Sequence, residues 1–270
     1  MRWMLAIFFL AGYAGAFWIG RRAAQRYKKR SEMLLLPCLA AMLFYLLLYY
    51  SPQLEFDIFR FHGYLYVRPW WMPVLVFFFF GLAFERLELR RKRVGIAILA
   101  GLVGILYCMR LGAFALAPAN HLNGQPRGPS GVCMQTSGYS CGAAAAATLL
   151  AQIDVQASEA EMAELCGTNA MMGTDTFSEM CGLREKLRGT RYTLKLITHA
   201  TLEDIRGLRY PALATMHLTT FIDHWIVVTG ADEQGVRTLD PLRGADQRSI
   251  ADFMGSWRGD LVELVPKGGR

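Results

Sequence analysis

The chain has 270 residues, of which 53% are hydrophobic, 12% aromatic and 19% charged, with a net charge of +7. That balance excludes a disordered or collagen-like polymer. The charge divides unevenly: residues 1–111 hold 15 basic and 5 acidic side chains, and residues 112–270 hold 14 and 17, so all the net basicity lies in the first part.

Those basic residues sit between long apolar runs, which excludes nucleic acid as the partner and makes the lipid bilayer one. Uncharged stretches at Trp3–Gly20, Met33–Leu54, Pro69–Phe84 and Val94–Met109 predict four membrane spans, at about 3–20, 33–54, 69–84 and 94–111. A spanning helix needs about 17–25 apolar residues, and the last two runs are extended by Arg68 and Arg110, which snorkel, and by interfacial Trp70, Trp71 and Tyr107. The loop after the first span carries Arg21, Arg22, Arg26, Lys28, Lys29 and Arg30; the loop after the third carries Arg86, Arg90, Arg91, Lys92 and Arg93. The loop at 55–68 has only Arg60 and Arg68, set against Glu55 and Asp57. The positive-inside rule turns the first and third loops to the cytoplasm and leaves the carboxy-terminal domain outside it. An integral membrane protein with 1–111 as anchor is expected, followed by a linker at 112–131 rich in Pro and Gly, with a solvated His121.

From residue 132 the pattern changes to short helices and strands. Ala143–Leu150 is a strong helix former, and Ser158, Thr176, Thr201 and Ser249 predict helix starts near 159, 177, 202 and 250 through capping-box spacing. Strands are predicted over Tyr192–Ile197, Ala212–His217, His224–Thr229, Val236–Asp240 and Leu261–Val265, with a hairpin turn at Asp232–Gly235. Helices first and strands later predict an α+β domain with an antiparallel sheet over 132–270.

The chemistry is carried by Gln135-Thr-Ser-Gly-Tyr-Ser-Cys141-Gly-Ala-Ala. A cysteine in the first turn of a helix has its thiolate stabilised by the helix dipole and unpaired N–H groups. Gln135, six residues earlier, offers a side-chain amide for a developing oxyanion. His224 opens one strand and Asp240 ends the next, so a base and its orienter reach one sheet edge. His217 competes with His224, and Asp223 and Asp246 compete with Asp240; His62 and His199 read as solvated.

In this order, Gln135, Cys141-Gly142-Ala143-Ala144, His224-Trp225-Ile226-Val227-Val228 and Asp240-Pro241 resemble the bacteriocin-processing cysteine peptidases, papain-like domains that cut leader peptides after a double glycine. The resemblance covers about residues 131–265. It implies a thiol protease with Cys141 as nucleophile, His224 as base, Asp240 as orienter and Gln135 as oxyanion donor. A peptide or protein substrate follows from the same likeness; the apolar runs imply a bacterial inner or cell membrane as location, and the topology, not a motif, makes an export system the expected partner. Well-known members are fused to an ATP-dependent exporter, whereas this chain has no Gly-x-x-x-x-Gly-Lys loop. Their peptidase domain faces the cytoplasm, and an acidic residue often stands where this chain has Ser140. The same residues also suit a peptide-binding module that does not cut, or an acyl or amide transferase.

Five cysteines besides Cys141 remain to be placed. Cys38 and Cys108 fall in spans, and Cys133 is left either free or paired. An oxidising location makes Cys166–Cys181 the expected disulfide. No Cys-x-x-Cys or His-x-x-x-His spacing calls for a metal, and no cofactor is expected.

Overall fold

The computed structural model describes residues 2–27, 32–116, 121–219 and 222–268. Lys28, Lys29 and Arg30 of the first basic loop, Pro118 of the linker and the side chain of Arg110 lie outside the described residues. Internal packing divides the chain into two units, Met1–Glu55 with Gly63–Ala117, and Phe56–His62 with Pro118–Arg270.

The first unit is helical: α1 (Arg2–Arg26), α2 (Glu32–Tyr49), α3 (Pro52–Ile58, shared with the second unit), α4 (Tyr64–Arg86) and α5 (Arg90–Leu116). Among the described residues, Val67–Arg86 and Arg90–Met109 are long and apolar enough to cross a membrane. A third span results if Met33–Tyr49 and Pro52–Ile58, bent by 104°, count as one. The expected run at 33–54 is thus interrupted. Pro52 has no N–H to donate and pushes Ser51 out of the helical region, so α2 stops at Tyr49 and α3 starts afresh. Beyond the fourth apolar stretch, α5 continues to Leu116, into the segment expected as linker.

Glycines set the approach of α1 to α4. A Cβ on Gly20 would stand 2.3 Å from the Phe78 carbonyl oxygen, and one on Gly81 would stand 2.1 Å from that of Phe17. Backbones this close exclude any larger residue at either position, as is common between membrane helices. Two expectations for this unit are corrected. Arg68 does not snorkel: it is 4% exposed, and its Nε donates to Glu55 Oε1 at 2.8 Å, where the Tyr64 hydroxyl also donates at 2.9 Å. A buried guanidinium needs such a partner, and Glu55 supplies it. Trp70 is likewise 2% exposed and stacked on Phe9 at 4.9 Å, whereas Trp71 is exposed.

The second unit is an α+β domain. Its six-stranded antiparallel sheet runs β3-β8-β4-β5-β6-β7, from β3 (Tyr192–Ile197), β4 (Ala212–Thr219), β5 (Ile222–Asp232), β6 (Gly235–Asp240), β7 (Gly244–Arg248) and β8 (Trp257–Pro266). A small hairpin precedes it, with β1 (Pro126–Arg127) inside the expected linker and β2 (Val132–Cys133) at the start of the expected domain. Helices α6 (Cys141–Ala151), α7 (Glu159–Leu165), α8 (Thr176–Lys186), α9 (Leu202–Arg206) and α10 (Ile250–Ser256) complete the domain.

Helix starts follow the caps. Ser158, Thr201 and Ser249 accept from the backbone N–H three residues on, and Thr201 with Asp204 closes a full capping box. At α8 the cap is Asp175, accepting from Ser178 N–H, one residue before the expected Thr176. The five alanines Ala143–Ala147 are fully buried. Their small side chains let α6 lie close against β5. On the sheet, Ile226, Val228, Ala214 and Leu261 form a core with Ile205 of α9 and Phe253 of α10.

Within this unit, Arg184 of α8 donates through Nη1 and Nη2 to the carbonyls of Phe56 and Phe59, both at 3.0 Å, with its guanidinium 4.1 Å from the Phe56 ring. His62 is not solely solvated: its Nε2 lies 2.7 Å from the Leu165 carbonyl oxygen.

Candidate active site

Cys141 is the first residue of α6, and it is partly exposed where residues 142–150 of the helix are buried. Its neighbour Gly142 is dictated by packing. A Cβ there would stand 2.8 Å from Glu179 Oε2 and 2.9 Å from Thr174 Cβ, distances that real Cβ atoms do not tolerate.

His224 and Asp240 come from adjacent strands. Val227 of β5 faces Leu239 of β6, which puts Asp240 opposite Ile226, two residues from His224 on the same face. His224 Nε2 lies 2.7 Å from Asp240 Oδ1. The Cys141 thiol also acts on the imidazole. Burial alone would depress the His224 pKa; hydrogen bonds with Asp240 and Cys141 and their negative charge outweigh it and push it up to about 9. Burial would raise the Asp240 carboxyl, but bonds from His224 and the Leu242 N–H, with Arg248 nearby, hold it below the usual carboxylate range.

Asp240 is fully engaged. Oδ1 accepts from His224 and, at 2.8 Å, from Leu242 N–H, while Oδ2 accepts from Arg248 Nη2 at 2.5 Å. A cavity of about 430 Å³ reaches His224 and Asp240, with Met216, Leu242 and Arg248 among its walls.

Gln135 is bonded to the turn after Asp240. Its backbone N–H donates to the Pro241 carbonyl at 3.0 Å, tying the segment before Cys141 to the turn after Asp240. Its Nε2 gives one hydrogen to the Ser137 carbonyl at 2.8 Å, so the amide's second hydrogen is not used by that bond. Its Oε1 is buried without a partner among the described residues.

The competing residues have other partners, although His217 and Asp246 line the same cavity as His224 and Asp240. Asp223 accepts from Arg258 at 2.7 Å and lies 3.8 Å from His217 Nδ1, and Asp246 lies 3.8 Å from Arg248 Nε on the exposed edge strand β7. His121 accompanies the Tyr139 hydroxyl at 2.8 Å, and His199 is exposed with positive φ. Cys166 and Cys181 are both buried thiols in the structure. The Cys166 backbone packs so closely on Gly182 that a Cβ there would be 2.8 Å from the Cys166 nitrogen. Burial pushes the Cys133 thiol up to about 12 and Cys166 well above the ordinary range, unlike a reactive thiol.

Three residues that the sequence reading passed over surround these groups. Arg248 sits at the end of β7, whose Gly-Ala-Asp-Gln-Arg has no apolar alternation to mark a strand. Glu159 is the first residue of α7 and fully buried, its carboxylate turned to the segment before Cys141. Glu179 is fully buried beneath Gly142, and burial pushes its carboxyl up to about 8.

Several known proteins are similar. The model of the Peptidase C39 family matches residues 130–268. An uncharacterised protein of Methanothermobacter marburgensis is 34% identical over 113 residues, 42% of this chain and 72% of that protein. Another, from Methanothermobacter thermautotrophicus, is 32% identical over 117 residues, with the same shares. Among solved structures, the peptidase domain of Streptococcus ComA, a bi-functional ABC transporter involved in a quorum sensing pathway, matches 50% of this chain and 96% of its own at 25% identity and a TM-score of 0.43. A double glycine motif protease from an AMS/PCAT transporter, in complex with the leader peptide, matches 53% of this chain and 95% of its own at 18% identity and a TM-score of 0.41. Through residues 130–268, this chain belongs to the Peptidase C39 family.

Proposed function

We propose that this protein is a membrane-anchored cysteine endopeptidase that cuts peptide bonds with Cys141, His224, Asp240 and Gln135. The observation that carries the reading is His224 held between Asp240 and the thiol of Cys141, with that thiol opening a helix. With a pKa near 9 the imidazole is protonated at neutral pH, the state that pairs with a thiolate.

Cys141 attacks the substrate carbonyl carbon. The oxyanion forms against the second Nε2 hydrogen of Gln135 and the Cys141 backbone N–H, which as a first-turn amide has no acceptor within the helix. The imidazolium gives its proton to the departing amine, leaving a thioester. His224 then takes a proton from water, which attacks the thioester and releases the acid with the thiol restored. Asp240 fixes the ring orientation throughout.

Four spans and an extracytoplasmic domain complete the reading, with domains at 1–111, 112–131 and 132–270. The loop charges support that orientation. There, a peptide emerging from an export system is the substrate, a double-glycine leader being the form cut by the family. Cys166 and Cys181 form a disulfide in such an oxidising setting, adding about 3 kcal/mol for a loop of this length. A mass lower by one hydrogen pair, absent in Cys181→Ser, supports it; two alkylatable thiols refute it.

The test is cleavage by the full chain in lipid nanodiscs, with peptides spanning Gly-Gly sites and mass spectrometry of products. Hydrolysis by wild type and none by Cys141→Ala is expected. Binding without products indicates the non-cutting module, and products carrying an added amine indicate the transferase.

A further inference from the structure

Between Gln135 and Cys141 the backbone forms no regular element, yet the two side chains must be held at one separation for the proposed chemistry. The segment is tied at both ends to a single carboxylate. Glu159 Oε1 accepts from the Thr136 N–H at 2.8 Å and from the Ser140 hydroxyl at 2.6 Å. Glu159 Oε2 accepts from the Thr136 hydroxyl at 2.6 Å and from the Gly124 N–H at 2.8 Å. Four donors on one fully buried carboxylate leave it no unmet acceptor demand.

The anchor points matter. Thr136 adjoins Gln135, and Ser140 adjoins Cys141. The Ser140 hydroxyl has one hydrogen, and the charged acceptor at 2.6 Å wins it over the Ser137 carbonyl at 2.9 Å. Its oxygen then accepts the Ser137 N–H at 3.2 Å, folding the middle of the segment back on its end. Ser140 precedes α6 without capping it, so the hydroxyl serves the carboxylate and not the helix. Glu159 is itself fixed, because its N–H donates to the Gly124 carbonyl at 3.0 Å while Gly124 returns its own N–H. A Cβ on Gly124 would stand 2.6 Å from Glu159 Oε2, so only glycine fits there.

We propose that Glu159 is a positioning residue that sets the placement of Gln135 relative to Cys141, acting through Thr136 and Ser140. It rests on the peptidase reading for its consequence, though not for its geometry. Glu159 keeps the shape of the oxyanion site and leaves the thiol–imidazole pair, which is built from α6 and β5, unaltered.

Two reactions of Cys141 separate these effects in the full chain. Alkylation by iodoacetamide needs the thiol–imidazole pair but no oxyanion site; acylation by a peptide ester needs both. For Glu159→Gln, acylation should slow about tenfold or more while alkylation stays within about threefold. The loss should vanish in a Gln135→Ala background, as expected when one residue acts through another. Equal slowing of both reactions, or an undiminished loss in the Gln135→Ala background, overturns the proposal. Thr136→Val with Ser140→Ala removes the two hydroxyl donors without touching the carboxylate, and should reproduce the split should Glu159→Gln not fold. If wild type is alkylated but never acylated, the peptidase reading fails by itself. Hydrogen exchange then decides the positioning role: a Thr136 amide protected in wild type and exposed in Glu159→Gln upholds it, and unchanged exchange overturns it.

Discussion

Arg248 donates through Nη2 to Asp240 Oδ2 at 2.5 Å, on the carboxylate oxygen that His224 does not use. The Asp240 charge is therefore shared between a permanent cation and a titrating one. Replacing Arg248 by Met leaves Oδ2 buried without a donor, which costs about 1–3 kcal/mol of stability. It also frees more of the Asp240 charge to act on His224, so the imidazole pKa rises. Chemical denaturation checks the first effect, and an alkaline activity limb displaced to higher pH checks the second.

The His224 pKa of about 9 predicts where activity falls on the alkaline side. The imidazolium is the proton donor to the leaving group, so the rate should drop as pH passes 9. In Asp240→Asn the charge that raises this pKa is gone, and the limb should move down toward the ordinary histidine value. Stability follows the same sign. The gain from His224 is complete below its unfolded pKa near 6.5 and is lost as pH rises to about 9. Histidine-selective NMR titration of wild type and Asp240→Asn measures the shift directly.

Glu179 works against the fold as pH rises. Its carboxyl is neutral in the native state up to about pH 8, while in the unfolded chain it ionises near 4.5. Between these values the protein loses up to about 1.4 kcal/mol of stability per pH unit from this group. Glu179→Gln keeps the shape and removes the titration. It should therefore be more stable than wild type at pH 8 and nearly equal to it at pH 4, as read from melting temperatures across that range.

Gly142→Ala tests the packing beneath the nucleophile. The new methyl meets Glu179 Oε2 and the Thr174 side chain inside 3.0 Å, so α6 has to shift at its first turn. Overpacking of this kind costs about 1–3 kcal/mol. Because Cys141 rides on the same turn, its alkylation rate should fall as well; thermal melting and alkylation kinetics check both.

The residues that declare themselves in the sequence do so through local rules. The helix starts at Glu159, Leu202 and Ile250 follow from a hydroxyl three residues before an acidic or amide partner, and β3 follows from apolar residues in Tyr192–Ile197. Cys141 and Asp240 are legible as residue types at element ends, whereas His224, expected to open its strand, lies two residues inside β5; β5 and β6 bring His224 and Asp240 onto one face. Glu159 and Arg248 were not legible. Each acts through bonds to residues 8 to 35 positions away, which no periodicity records. Arg68 and Trp70 misled for a related reason: their types suit an interface, but Glu55 and Phe9 offer each a partner inside the bundle. The apolar run at 33–54 predicts one continuous span, because hydropathy alone does not register Pro52, at which the chain bends by 104°.

The central claim is that the Cys141 sulfur forms the covalent intermediate. The full chain in nanodiscs, quenched in acid during turnover of a peptide ester, gives an intact mass and, after digestion, the position of the acyl group. The account predicts one acyl thioester on the peptide holding Cys141, lost in Cys141→Ala and scarcely formed in His224→Ala. An acyl group carried on another cysteine, or peptide cleavage that persists in Cys141→Ala, would contradict it.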